Sequence, residues 1–66
     1  MINRDDILKI LIGMNKEDAF KLCRDNEFTI RVTREDSNIY YGTMDLNFDR
    51  INLQIDNGFI TECNFG

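Results

Sequence analysis

The chain contains no histidine, no proline and no tryptophan, and only two of its 66 residues are cysteine. Each absence removes a class of chemistry. Without histidine, the commonest general base and the commonest zinc ligand are missing. Cys23 and Cys63 stand far apart in the chain, unlike a metal-binding pair, and two cysteines alone cannot complete a four-ligand site. Both fall within apolar patterns, which reads as two buried free thiols rather than a disulfide. Long apolar runs are also absent: the longest, Ile10-Leu11-Ile12, falls far short of the roughly 20 residues of a membrane span. Met1-Ile2-Asn3-Arg4 opens no basic-then-apolar signal pattern, so with Met1 as the natural start the expected location is the cytoplasm. Basic excess is missing too. Eight Lys and Arg stand against twelve Asp and Glu, a net charge of −4. Free nucleic acid is therefore not an expected partner, and the charge serves solubility.

What remains is a globular composition, 42% hydrophobic and 30% charged, in a length that makes residues 1–66 a single domain. Asn3 to Ile12 predicts a short helix: Asn3 can cap it, Asp5 and Asp6 suit the positive end of its dipole, and Ile7, Leu8, Ile10 and Leu11 form an apolar stripe. Gly13 is placed to end it in a left-handed turn. Asn15 and Asp18 then predict the capped start of a second helix that buries Ala19, Phe20, Leu22 and Cys23 and closes at Asp25-Asn26.

The period next switches from 3.6 to 2. Phe28 to Thr33 alternates as a half-buried strand, with Phe28, Ile30 and Val32 inward, and Arg34 to Asn38 reads as an exposed turn or loop. Ile51 to Ile55 predicts another strand, joined through the tight turn Asp56-Asn57-Gly58 to a third, Phe59 to Phe65. Between these regions the pattern breaks. Leu46 and Phe48 are apolar at even positions, whereas Ile51, Leu53 and Ile55 are apolar at odd ones, so one continuous strand cannot bury both sets. A bulge or break is expected near Asp49-Arg50, preceded by an extended, partly exposed loop. The expected fold is α+β: one or two short N-terminal helices packed on a small mixed sheet of three or four strands. Core candidates are Ile7, Leu11, Ala19, Leu22, Cys23, Ile30, Val32, Leu46, Phe48, Ile51, Leu53, Ile55 and Cys63.

Little in this pattern supports catalysis. Asp5-Asp6 fits a helix N-terminus and Glu35-Asp36 a solvated turn, so neither reads as an acid/base dyad. The acidic stretches lack calcium-loop spacing, and Gly13, Gly42, Gly58 and Gly66 are too isolated for a phosphate loop. Cys23 has no histidine to activate it. The expectation is a binding protein rather than an enzyme, with neither cofactor nor metal. Arg50, at the parity break, has the donors to hold the loop before it in one shape, or else is a surface arginine paired with Asp49 or Asp45. Arg31 reads as a solvated outward charge.

The segment Thr43-Met44-Asp45-Leu46-Asn47-Phe48-Asp49-Arg50-Ile51 resembles the reactive-site segment of the potato inhibitor I family of serine-protease inhibitors. That family shows Thr, a large apolar residue and an acidic residue, then apolar, polar and aromatic or aliphatic positions, Asp or Asn, Arg and an aliphatic. Ile12-Gly13, the helical Ala19, the Asp56-Asn57-Gly58 turn and the final Gly66 are similar to flanking features of the family. The resemblance, to a divergent phage or bacterial member, implies an exposed binding loop over residues 39–49 and a serine protease as partner. It implies that Met44 enters the protease pocket, that Met44-Asp45 is the reactive-site bond, and that Thr43 and Asp45 hydrogen-bond toward Arg50.

The alternative reading turns the same fold to a phage-type counter-defence task, the sequestration of a small nucleotide-like signalling molecule. Tyr40 and Tyr41, with Arg31 or Arg34, would stack on and pair with such a ligand. The plainer role for these tyrosines is to cover the sheet edge. Monomer and small homo-oligomer are both compatible with either reading.

Overall fold

The computed structural model describes residues 1–40, 42 and 47–66. Tyr41, Thr43, Met44, Asp45 and Leu46, and with them the expected reactive-site bond, lie outside the described residues.

Helix α1 spans Arg4–Leu11, and its cap is the expected one: the Asn3 side chain accepts the Asp6 amide at 2.9 Å. Its inward stripe buries Ile7 and Leu11 completely. Gly13 follows at φ 87°, the left-handed conformation that lets the chain turn at once into the next helix. Helix α2 spans Lys16–Asp25. Asn15 accepts the Asp18 amide at 2.9 Å, and its own amide donates to the Asp18 carboxylate at 2.8 Å, so the side chains complete the cap between themselves. At its far end, Phe28 N–H reaches Cys23 O (2.8 Å) and Glu27 N–H reaches Arg24 O (3.1 Å), with Glu27 at φ 64°. This is the two-bond closure usually built on glycine, made here with a glutamate.

Among the described residues the sheet has four strands, β1 (Thr29–Glu35), β2 (Asn38–Ile39), β3 (Arg50–Asp56) and β4 (Phe59–Phe65), in the order β2-β1-β3-β4. Strands β1 and β3 are parallel and the other pairs antiparallel, so the sheet is mixed, as the α+β expectation required. Asn57 and Gly58 both take positive φ, 54° and 83°, the geometry a two-residue hairpin needs between β3 and β4.

Arg34 to Asn38 is not a loop. Strand β1 continues through Arg34 and Glu35, only Asp36-Ser37 turns, and Asn38 already belongs to β2. Charge suggested a loop because both residues find polar partners that a sequence does not display. Arg34 reaches Gln54 and Asp56 on β3, and Glu35 pairs with Lys16 of α2. Phe28, expected as the first strand residue, instead completes the helix closure, and β1 starts at Thr29.

The link between the helices also serves the sheet. Gly13 N–H donates to Ile60 O, Ile60 N–H to Met14 O and Lys16 N–H to Gly58 O, each at 2.8 Å. The link thereby covers the outer edge of β4 over its first half. The core consists of Ile7, Leu11, Ala19, Cys23, Ile51, Leu53, Ile55 and Ile60, with Leu22, Ile30, Val32 and Cys63 partly buried against it. Phe48 does not join it; this residue is 69% exposed. The reason is local: Asn47 accepts the Asp49 amide through its side chain (3.0 Å) and the Arg50 amide through its carbonyl (3.1 Å). Phe48 thus sits on a turn, and strand alternation begins only at Arg50. The parity break is this turn.

Away from the helices the sheet is polar. Arg31, Asn52 and Asn64 form one hydrogen-bonded row across β1, β3 and β4. Among the described residues, no helix is long and apolar enough to cross a membrane.

Candidate functional site

Parallel neighbours cannot be joined by a tight turn, and residues 36–49 make the connection from β1 to β3. Such a segment keeps one shape only if the rest of the molecule holds it. At its entrance, Tyr40 N–H donates to Thr33 O at 2.9 Å. Gly42 lies against Arg31 so closely that an added Cβ would stand 2.5 Å from one guanidinium nitrogen. At its exit, Thr29 N–H donates to Asp49 O at 3.2 Å, beside the Asn47 turn already described. The Arg4 guanidinium adds a hydrogen bond to Phe48 O and an ion pair of 3.2 Å with Asp49. Ile39, Tyr40 and Phe48, on the two shoulders of the segment, are all largely exposed apolar side chains.

The sequence-derived site residues occupy distinct places. Arg50 is nearly buried, and its Nε and Nη2 donate to Gly66 O at 3.2 and 2.9 Å while Gly66 N–H returns a bond to Arg50 O at 3.0 Å. It therefore fastens the end of β4 to the start of β3, where the segment re-enters the sheet. Arg31 is half-buried rather than simply solvated, its Nε donating to Asn52 Oδ1 at 2.9 Å. Arg34 forms a two-pronged pair with Asp56, both contacts 2.7 Å, and donates to Asp36 O at 2.8 Å. Those bonds, with a further one from Thr61, hold the Asp56 carboxyl well below the usual carboxylate range and raise the Arg34 guanidinium above its own.

Arg31 and Tyr40 meet in one concavity, and Arg34 is not part of it. A hollow of about 410 Å³ is lined by Lys16, Phe20, Arg31, Val32, Glu35, Tyr40 and Gly42. Lys16 is hydrogen-bonded to Glu35 at 2.6 Å, and that bond, aided by the opposite charge, raises its pKa. The sequence places Phe20 on the buried side of α2 and does not single out Lys16. Their spacing of one helical turn was the available signal that they share a face.

Among the described residues, no group of three or more acidic, cysteine or histidine side chains is placed to hold a metal. Both cysteines are free. Burial pushes the Cys23 thiol up to about 11, with a smaller contribution from Cys63, and burial also raises Cys63. These are the shifts of inert core thiols, opposite to those of nucleophiles. The chain matches no protein-family model, no curated protein and no solved structure.

Proposed function

We propose that the protein acts by binding rather than catalysis, and that it presents residues 39–49 to a serine protease as an inhibitory segment with Met44-Asp45 as the reactive-site bond. The observation that carries the reading is the anchoring of the segment where it rejoins the sheet. Arg4 and Thr29 hold Phe48 and Asp49, and Arg50 is fixed on Gly66. Inhibition by a substrate-like segment needs such restraint. A segment already held in its bound shape avoids most of the ordering cost of association, and after attack on the bond its new ends stay together, favouring religation over release. Met44 supplies an unbranched apolar side chain for the specificity pocket, and the exposed Ile39, Tyr40 and Phe48 supply apolar contact on either side.

Titration against chymotrypsin-like and subtilisin-like proteases tests this reading. Stoichiometric, reversible inhibition that is lost on Met44→Asp is the expected outcome. Steady turnover at the Met44–Asp45 bond, or no association with either class, overturns it.

A second reading is favoured by one observation, the meeting of Tyr40, Phe20, Arg31 and Lys16 around the same hollow. Two aromatic rings and the Arg31 guanidinium, beside a Lys16 already paired with Glu35, suit a planar anion such as a small nucleotide, held by stacking and charge. Native mass spectrometry of the purified protein separates the readings: a co-purifying nucleotide lost on Phe20→Ala supports sequestration, and a ligand-free spectrum opposes it.

A further inference from the structure

We infer that Arg4 is a positioning residue for the 39–49 segment, latching its exit at Phe48-Asp49 onto α1 and β4. Its effect on inhibition rests on the protease reading above, whereas the latch itself does not.

Arg4 is the first residue of α1, where the helix dipole disfavours a cation. Its three contacts account for its presence there. One guanidinium nitrogen donates to Phe48 O and approaches the Asp49 carboxylate at 3.2 Å, while the guanidinium carbon Cζ lies over the Phe65 ring, 4.0 Å from its centre. Phe65 packs in turn on Phe28, ring centres 5.8 Å apart. A single side chain thus joins the N-terminal helix, the last strand and the exit turn.

The contacts differ in weight. The ion pair is exposed, 45% on the Arg4 side and 79% on the Asp49 side, so its attraction is small. The carbonyl bond and the cation–π contact are what fix direction. A planar guanidinium can lay its face on a ring while its edge donates, which an ammonium cannot do in one geometry. Arginine, not merely a positive charge, is therefore required.

Amide hydrogen exchange on the intact chain tests the latch. Thr29 and Arg50 report on the exit because their amides bond Asp49 O and Asn47 O; Gly13 and Ile60 report on the remote helix link. In Arg4→Ala, exchange at Thr29 and Arg50 should rise roughly tenfold, the change expected from losing one charge-assisted hydrogen bond. Gly13 and Ile60 should be unchanged. Arg4→Lys should restore little, Asp49→Asn should resemble the native protein, and Lys9→Ala controls for loss of a cation from the same helix. Unchanged exchange at Thr29 and Arg50, or an equal rise at all four amides, overturns the latch. In the protease assay, Arg4→Ala should weaken inhibition and speed cleavage of the Met44–Asp45 bond by a similar factor. A loosened exit with undiminished inhibition would refute the positioning role. If the native protein inhibits nothing, the inhibitor reading falls and exchange alone decides the latch.

Discussion

Replacing Ile60 by Ala should damage the fold far more than replacing Phe48 by Ala, although phenylalanine is the larger residue. Ile60 is 1% exposed, and its backbone binds the helix link on both sides through Gly13 and Met14. Truncation removes three buried carbons at about 0.8 kcal/mol each, roughly 2.4 kcal/mol of transfer free energy. The cavity left behind brings the expected loss to about 2.5–4 kcal/mol. A chain of this length has only about 3–10 kcal/mol of stability in total, so the loss takes at least about a quarter of it and at the lower end all of it. Phe48, 69% exposed on the Asn47 turn, should cost less than about 0.5 kcal/mol.

Urea unfolding followed by circular dichroism measures both, since the chain has no tryptophan to report fluorescence. With a slope of about 1 kcal/mol/M for so small a protein, Ile60→Ala should lower the midpoint by roughly 2.5–4 M and Phe48→Ala by well under 1 M. If Ile60→Ala is already unfolded in buffer, Ile60→Val, expected at about 0.5–1.5 kcal/mol, keeps the comparison measurable. Equal losses at the two sites, or a larger loss at Phe48, would refute the placement of the strand boundary at Arg50.

Glu27→Gly should stabilise the protein by about 0.5–1 kcal/mol, read as a raised melting temperature, because glycine relieves the left-handed strain at φ 64°; a lower melting temperature would contradict this. Asp56 has a depressed folded pKa, so its stabilising effect is present above its unfolded value near 4 and is lost as pH falls below that. The melting-temperature gap between native and Asp56→Asn protein should therefore be open at pH 7 and close progressively below about pH 4; a gap that stays constant or widens as pH falls would contradict this. At pH 8 a thiol with its pKa at about 11 is roughly one part in a thousand thiolate, so Cys23 should react with a disulfide reagent only after unfolding. Gly42→Ala should displace the Arg31 guanidinium and break its bond to Asn52, visible as a chemical-shift change at the Asn52 side-chain amide.

Local rules were enough wherever neighbours in sequence are neighbours in space. Asn3 and Asn15 announced both helix starts, Gly13 the sharp link and Asn57-Gly58 the hairpin, since each feature depends on residues within one turn. Failures came where distant partners decide. Arg34 and Glu35 look like loop residues until Asp56 and Lys16 are brought beside them. Ile60 looks like one apolar residue among several on β4, and its burial becomes visible only when the fold packs it with residues of both helices and β3. Phe48 was misplaced because period-2 alternation was extended through a turn built by the side chain of Asn47. At the candidate site, Arg50 and Arg31 were noticed by residue type, yet Arg4, Lys16 and Phe20 were not. Their roles rest on contacts to Phe48 and Phe65, or on a hollow shared with Tyr40; helical spacing relates Lys16 to Phe20, but no spacing rule links that pair to Tyr40 or Arg4 to Phe48.

An acidic chain can still have a cationic site. Net charge is −4, but Arg4, Lys16, Arg31 and Arg50, four of its eight basic residues, border the segment between β1 and β3 or the hollow beside it. Two of them spend hydrogen bonds on backbone carbonyls, Arg4 on Phe48 and Arg50 on Gly66. Such bonds fix the chain without requiring a charged partner, which is what a protease-binding segment needs. Arg31 and the Lys16–Glu35 pair instead line a hollow with Phe20 and Tyr40, and the space is large enough for a small anion. The two functional readings therefore draw on different arginines. Phe48→Ala and Arg4→Ala should weaken protease binding and spare any bound anion. Phe20→Ala and Arg31→Gln should do the reverse, because stacking and charge at the hollow do not depend on how the exit is held.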